Sequence, residues 1–132
     1  MLSIIYVNYK TSKDILISLA SIAKYEKKFK EYEYIIVDNN SDDGGLEVIK
    51  KKYPFVKIIY APQNGGFAYG NNHGIKQAIG DFIFLLNPDT YINDNAIEKL
   101  YYRIKNDNSI GIIGPQLLYP DGENQSYYLP KT

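Results

Sequence analysis

The chain has 132 residues, 45% hydrophobic and 23% charged, a size and balance that support one folded domain and argue against disorder. Fifteen basic residues offset fifteen acidic ones, so no overall field favours nucleic acid, and the absence of cysteine excludes disulfides and thiolate metal sites. Leu2 to Val7 is too short and too poor in basic residues for a signal peptide, and no apolar run approaches the roughly 18 residues of a membrane span, so a cytoplasmic protein is expected.

Ser3 to Val7 is a β-rich run that reads as the first strand and ends in the polar Asn8-Tyr9-Lys10. Thr11, with Asp14 three residues on, resembles a capping box, and Ile15, Leu19, Ile22 and Ala23 then recur at helical spacing. Lys27 to Glu33 reads as a connection and Tyr34-Ile35-Ile36-Val37 as a second, all-apolar strand. Asp38 to Gly45 is a loop of short side chains, in which Asp42 and Asp43 read as helix caps because a helix with Leu46, Ile49 and Tyr53 on one face follows at once. Pro54 stops that helix. The lysines at 27, 28 and 30 and at 50 to 52 cluster, and read as solvated helix ends.

Val56 to Tyr60 is the third strand, and Asn64-Gly65-Gly66 gives the next loop backbone freedom. A helix from Phe67 is expected to carry Phe67, Ile75, Ala78 and Ile79, with Gly80 closing it. Phe82-Ile83-Phe84-Leu85-Leu86 then reads as a strand buried on both faces, since a half-exposed strand would alternate polar and apolar. Polar chemistry begins where it ends: Pro88 fixes its own φ and holds Asn87 extended, so Asn87 and Asp89 present their oxygens from a stiffened backbone. Asp94 is placed to cap a helix bearing Ile97, Leu100, Tyr101 and Ile104. Ile110 to Ile113 and Gln116 to Tyr119 are short strand candidates, Pro120-Asp121-Gly122 is a turn, and the final ten residues, Tyr127-Tyr128 among them, receive no element. The fourteen tyrosines fit core and half-buried strand positions better than sugar stacking, and His73, the only histidine, has no second histidine to complete a ligand set or triad.

Four alternations of strand and helix imply a parallel α/β sheet with right-handed crossovers, whose strand-to-helix loops all emerge on one side. Those loops hold Asn8, Asp38 to Asp43, Asn64 to Gly66 and Asn87 to Asp89, where ligands of open α/β sheets bind. A nucleotide suits such a crevice: amides and carboxylates pair with base and ribose, small residues admit the backbone, and an acid can carry a divalent cation against a diphosphate. The glycine fingerprint of dinucleotide folds, the phosphate-binding loop and the nucleophile elbow of hydrolases are all absent.

Three motifs then carry a resemblance. Val37-Asp38-Asn39-Asn40-Ser41-x-Asp43-Gly44, Asn64-x-Gly66-Phe67-Ala68-x-Gly70-Asn71-Asn72-x-Gly74-Ile75 and Leu86-Asn87-Pro88-Asp89-Thr90 are similar to the nucleotide-sugar half of family 2 glycosyltransferases, particularly the branch of bacterial rhamnosyltransferases. The resemblance implies a single domain over 1–132 with the GT-A fold, a Rossmann-like three-layer α/β sandwich with a mainly parallel sheet, truncated before the acceptor-binding half. It implies a UDP- or dTDP-linked sugar donor held by Asn8, Asp38, Asn40, Asn64, Gly66, Asn71, Asn87 and Asp89, with Asp38 reading the pyrimidine. Asp89 would bind Mg²⁺ or Mn²⁺. Transfer to a saccharide or lipid-linked hydroxyl, with inversion, would serve cell-surface polysaccharide synthesis, and the longer parent protein would lie at the inner face of the membrane.

Two residues depart from the family pattern. Asn87 replaces the first carboxylate of an Asp-x-Asp motif, which weakens cation affinity, and Asn71 stands where many relatives carry arginine. The general base falls beyond Thr132 in the family, and within this chain Asp121 and Glu123 are the first fallback. The competing class is a non-catalytic nucleotide-binding module. A phosphoacceptor receiver is a third, weakened by the lack of a recognisable lysine and paired acids at the strand ends.

Overall fold

The structure, a computed structural model, describes residues 1–126, so Tyr127 and Tyr128 lie outside the described residues. Four strands, β1 (Leu2–Asn8), β2 (Tyr32–Asp38), β3 (Lys57–Tyr60) and β4 (Phe82–Leu85), form one parallel sheet in the order β3-β2-β1-β4. The chain steps from β1 outward to β2 and β3, then jumps back across β1 to β4. Because right-handed crossovers in opposite directions lie on opposite faces, α1 (Ser12–Tyr25) and α2 (Gly45–Lys52) pack on one face and α3 (Gly66–Ile75) on the other. The reversal of strand order at β1 and β4 is a topological switch point, and the loops after these two strands diverge there.

Strand alternation divides the core. Leu2, Ile4 and Tyr6 of β1 with Tyr34 and Ile36 of β2 face Ile15, Leu19 and Ile22 of α1 and Leu46 and Ile49 of α2, while Ile5, Ile35 and Val37 face α3. The same alternation places Asn8 and Asp38, which are register partners, side by side on the α1 and α2 face at the carboxyl edge.

Several expectations are corrected. The stripe on α3 is not apolar: Gly70, Asn71 and Gly74 are its buried residues, whereas Phe67, Ile75 and Ile79 are exposed. A Cβ on Gly70 would stand 2.6 Å from Val7, and one on Gly74 2.7 Å from Ile5, so the helix seats its backbone directly on the sheet. The helix ends at Ile75 rather than Gly80. β4 is not buried on both faces: Ile83 and Leu85 are exposed, because β4 borders only β1 among the described strands and α3 covers β1 and β2 instead. The two strand candidates at 110–113 and 116–119 form no strand, only a bridge between Leu118 and Asn124 that closes the expected turn, with Gly122 at φ 90°.

The fourth helix, α4 (Ala96–Lys105), is not a crossover. Residues 87–95 descend along α1, where the Ile92 N–H donates to Ser21 Oγ at 3.0 Å, and α4 then lies across the amino ends of the strands, its Tyr101 ring against Phe29 and Phe82. Asp94 does not cap it but pairs with Lys99. The cap comes from afar: Glu26, only 2% exposed at the end of α1, accepts the Ile97 N–H at 2.7 Å and the Glu98 N–H at 3.3 Å. Burial raises the Glu26 carboxyl above its ordinary range, against the opposing pull of those two N–H donors.

Candidate functional site

The carboxyl edge of the sheet is built around Asn8. Its Nδ2 donates to Asp38 Oδ1 at 2.8 Å and to Ser41 Oγ at 3.2 Å, while its Oδ1 accepts the Thr11 N–H and hydroxyl at 3.1 and 3.0 Å. Thr11 therefore spends its hydroxyl on Asn8, and the expected capping box with Asp14 does not form. Asp38, 3% exposed, accepts Ser41 Oγ at 2.5 Å and the Ser41 N–H at 3.1 Å in addition to Asn8. One buried polar network thus joins the ends of β1 and β2.

Asp43 extends the network to two helices. Its carboxylate accepts the Ser12 N–H and hydroxyl at the start of α1, at 3.0 and 2.7 Å, and the Gly45 N–H at the start of α2, at 3.0 Å. Partial burial works to raise this carboxyl, but the donors from Ser12, Gly45 and Asn8 outweigh it and hold it below the ordinary carboxylate range. The cap reading of Asp43 is correct, and it serves both helices at once. The surrounding loops store backbone strain, with Lys10, Asn40 and Asp42 at φ 58°, 56° and 50°.

Asn39 is a residue that the sequence reading passed over. It is 1% exposed, and its amide reaches across to the next loop, donating to the Gly66 carbonyl at 2.9 Å and to Asn64 Oδ1 at 3.3 Å. Asn64 Oδ1 in turn accepts the Gly66 N–H at 3.1 Å, and Gly66 sits at φ 84°, which a side chain would strain. The available signal was its place inside the Val37 to Gly44 motif, flanked by residues that were chosen. The Oδ1 atoms of Asn39 and Asn71 are both buried without a hydrogen-bond partner among the described residues.

The predicted site residues therefore separate into two shells. Asn8, Asp38 and Asn71 are buried, and Asn71 turns its amide back onto the Phe67 carbonyl at 3.1 Å within α3. Asn40, Asn64, Gly66, Asn87 and Asp89 form an exposed rim above them. Asn87 and Asp89 stand in a tight turn closed by the Thr90 N–H on the Asn87 carbonyl, at 3.1 Å. As a cation site this pair offers one carboxylate and one amide oxygen, and no group of three His, Cys, Asp or Glu converges among the described residues. That donor set fits a divalent ion carried in on a diphosphate, which supplies most of the remaining oxygens, rather than a dedicated protein cage. His73 stacks edge-on against Tyr69 at 4.5 Å, which accounts for it structurally, and Asp121 is occupied by the Glu123 N–H in its turn. A cavity of about 130 Å³ lies away from these loops between β4 and α4, and its lining, Leu2, Phe84, Ile97 and Ile112 among it, carries no charged side chain to meet a diphosphate.

A parallel sheet with its polar loops gathered at the switch point, and helices on both faces, defines a Rossmann-like α/β protein, and its solved structural neighbours make it the GT-A form. The crystal structure of S. aureus TarS 1–349 superposes on it with a TM-score of 0.69 at 30% identity, over 80% of this chain and 32% of that one. The chain belongs to Glycosyl transferase family 2, whose model matches residues 3–131. TarS 1–349 in complex with UDP-GlcNAc gives the same TM-score, 0.69, at 25% identity over 92% of this chain and 41% of that one. Among curated proteins, the poly(ribitol-phosphate) β-N-acetylglucosaminyltransferase TarP of Staphylococcus aureus is 32% identical over 85% of this chain and 35% of its own length. The low-salt glycan biosynthesis hexosyltransferase Agl10 of Haloferax volcanii is 31% identical over 92% of this chain and 38% of its own. The chain spans less than half the length of either relative. Neither is a rhamnosyltransferase by name, so the comparisons carry the family and not that branch.

Proposed function

We propose that this chain is the donor-binding part of a glycosyltransferase that moves a hexose or N-acetylhexosamine from a UDP- or dTDP-sugar to a saccharide or lipid-linked hydroxyl, with inversion, in cell-surface polysaccharide synthesis. The relatives named above favour such a donor over a rhamnosyl one. The observation that carries the reading is the gathering of three separate sequence motifs onto one carboxyl edge, in a family member whose structural neighbour holds UDP-GlcNAc. In this reading the buried shell of Asn8, Asp38 and Asn39 fixes the loops, and Asp38 orients the pyrimidine. The rim of Asn40, Asn64, Gly66, Asn87 and Asp89 meets ribose and diphosphate. Mg²⁺ or Mn²⁺ at Asp89 and Asn87 would offset charge on the departing diphosphate. A carboxylate elsewhere in the full-length protein would deprotonate the acceptor.

No helix among the described residues is long and apolar enough to cross a membrane. As part of the same proposal, the full-length protein works at the cytoplasmic face of the membrane and associates with it peripherally.

Calorimetric titration with UDP, dTDP and ADP tests the reading. Pyrimidine diphosphates should bind and ADP should not, and failure of both pyrimidine nucleotides on a folded sample would overturn it. Asp38→Asn, which keeps the side chain's size but turns one accepting oxygen into a donor, should weaken binding with or without metal in a sample that circular dichroism shows to be folded, whereas Asp89→Ala should weaken it mainly when Mg²⁺ or Mn²⁺ is present. Each loss of a charge-assisted hydrogen bond should cost about 1.5 to 3 kcal/mol, roughly tenfold or more in affinity. Equal, metal-independent losses would show that Asp89 holds no cation.

A further inference from the structure

The edge of the sheet opposite the candidate site carries an unusual distribution of charge. Most of its acidic groups have internal partners, while Glu98, which accepts only Asn95 Nδ2 at 3.4 Å, lines a shallow cleft with Asp94, Lys27 and Lys28. Glu26 caps α4, Glu31 accepts the hydroxyls of Tyr101 and Tyr102 and pairs with Lys105 at 3.4 Å, and Glu33 accepts Ser3 Oγ and the Ile79 N–H. Asp81 binds the terminal ammonium at 2.9 Å, Asp94 pairs with Lys99 and Asp107 with Arg103. Lys27, Lys28, Lys30, Lys51 and Lys52, by contrast, form no ion pair among the described residues, and all are exposed. Carboxylates held by neutral donors keep their charge, so this end of a chain with no net charge carries a modest positive excess rather than five unopposed lysines.

These lysines are not scattered. A run of aromatic rings ties their two loops together: Phe29, between Lys28 and Lys30, meets Tyr32 at 5.4 Å, Tyr32 meets Tyr34 at 5.0 Å, Tyr34 meets Phe55 at 5.9 Å, and Phe55 meets Tyr53 at 6.0 Å. Lys52 lies over the Tyr53 ring at 5.7 Å. Phe29 and Tyr34 are buried, so the ladder is a rigid base. Its one strongly projecting member is Phe55, 66% exposed beside the exposed Pro54.

We propose that this edge docks on a bilayer carrying anionic lipid headgroups, with the lysines over the headgroups and Phe55 at the acyl boundary. Lysine clusters flanking an apolar side chain are what such a surface attracts. Nucleic acid is the poorer fit. The only arginine at this end, Arg103, is committed to Asp107, and one projecting ring offers no stacking platform. Docked this way, the molecule turns the carboxyl-edge loops toward solution. The inference gives a surface to the membrane attachment proposed above, and it does not depend on the nucleotide reading.

The test is co-sedimentation of the chain with phosphatidylcholine vesicles and with vesicles of phosphatidylcholine and phosphatidylglycerol in equal parts. Binding should require the anionic lipid and fall as salt rises. Near an anionic surface one lysine contributes about a fivefold factor, so Lys51→Glu/Lys52→Glu and Lys28→Glu/Lys30→Glu should each weaken partitioning by roughly thirtyfold or more. Phe55→Ser should weaken it with charge unchanged, and Lys10→Glu/Lys13→Glu at the opposite edge should leave it intact. Circular dichroism confirms that each variant is folded. No binding by the unaltered chain, equal binding to neutral vesicles, equal loss in the Lys10→Glu/Lys13→Glu control, or salt-sensitive capture of a single-stranded RNA without vesicle binding would each overturn the proposal. UDP titration on the same sample keeps such a failure distinct from a failure of the nucleotide site.

Discussion

Asp43 holds the first N–H of α1 and of α2 on one carboxylate, so its loss releases two helix starts together. Asp43→Asn keeps the size but replaces one accepting oxygen with a donor, and should cost about 1 to 2 kcal/mol in denaturant unfolding. The sign with pH follows from its depressed carboxyl. Its stabilisation is present above the ordinary carboxylate range and is lost as pH falls through the lowered folded value, so the deficit of Asp43→Asn should narrow on acidification. A gap that stays constant across the acid range would mean that Asp43 is not held as an anion. At this scale the sequence identified the polar residues of the loops correctly but could not say which point inward. Asn39 and Asn40 are identical neighbours, yet one is buried as a bridge to Gly66 and the other is exposed at φ 56°. That difference depends on where the β3 to α3 loop comes to rest.

Among the elements, β1 and β2 were legible because apolar runs of this length fit strands covered on both faces, and their register brought Asn8 and Asp38 together as the loop argument required. β4 reads the same way in sequence, but its neighbours decide its burial, and Ile83 and Leu85 lie exposed. α3 was misread because the search was for large apolar residues at helical spacing, whereas this helix packs through small ones. Gly70→Ala should therefore destabilise the protein. The added methyl meets Val7 at 2.6 Å, and overpacking costs about 1 to 3 kcal/mol against a helix-propensity gain of about 1 kcal/mol. Gly44→Ala, with nothing within 4 Å, should be neutral or mildly stabilising in the same melt. The cap of α4 was out of reach of local sequence rules, since Glu26 lies 71 residues before Ile97. Glu26→Ala should cost about 1 to 2 kcal/mol by leaving the Ile97 and Glu98 N–H groups without an acceptor, while Glu26→Gln should retain most of the stability. Because burial raises the Glu26 carboxyl, its contribution is complete at low pH and declines as pH rises through the folded value. The advantage of the native residue over Gln should accordingly be largest in acid, opposite in sign to Asp43. Unchanged unfolding of Glu26→Ala would show that α4 is capped some other way.

The whole molecule separates its chemistry between two edges of one sheet: strained, polar loops at the carboxyl ends, and free lysines around an aromatic ladder at the amino ends. On the proposed reading, in which the base lies elsewhere in the full-length protein, the chain should bind nucleotide but transfer very little, since general-base catalysis alone supplies about 10² to 10⁴ in rate. Assays of the chain with UDP- and dTDP-sugars and saccharide or lipid-linked acceptors should show at most slow donor hydrolysis. Robust turnover would require a base within the chain, with Asp121 and Glu123 the first to replace. The central claim, that a nucleotide diphosphate binds at the carboxyl edge, is tested most directly by backbone hydrogen exchange with and without UDP and Mg²⁺. UDP should slow exchange in residues 8–12, 38–45, 64–70 and 86–90 and leave 27–31 and 51–57 unchanged. Protection confined to the lysine edge or to the cleft between β4 and α4, or binding that protects none of the four loops, would contradict the claim.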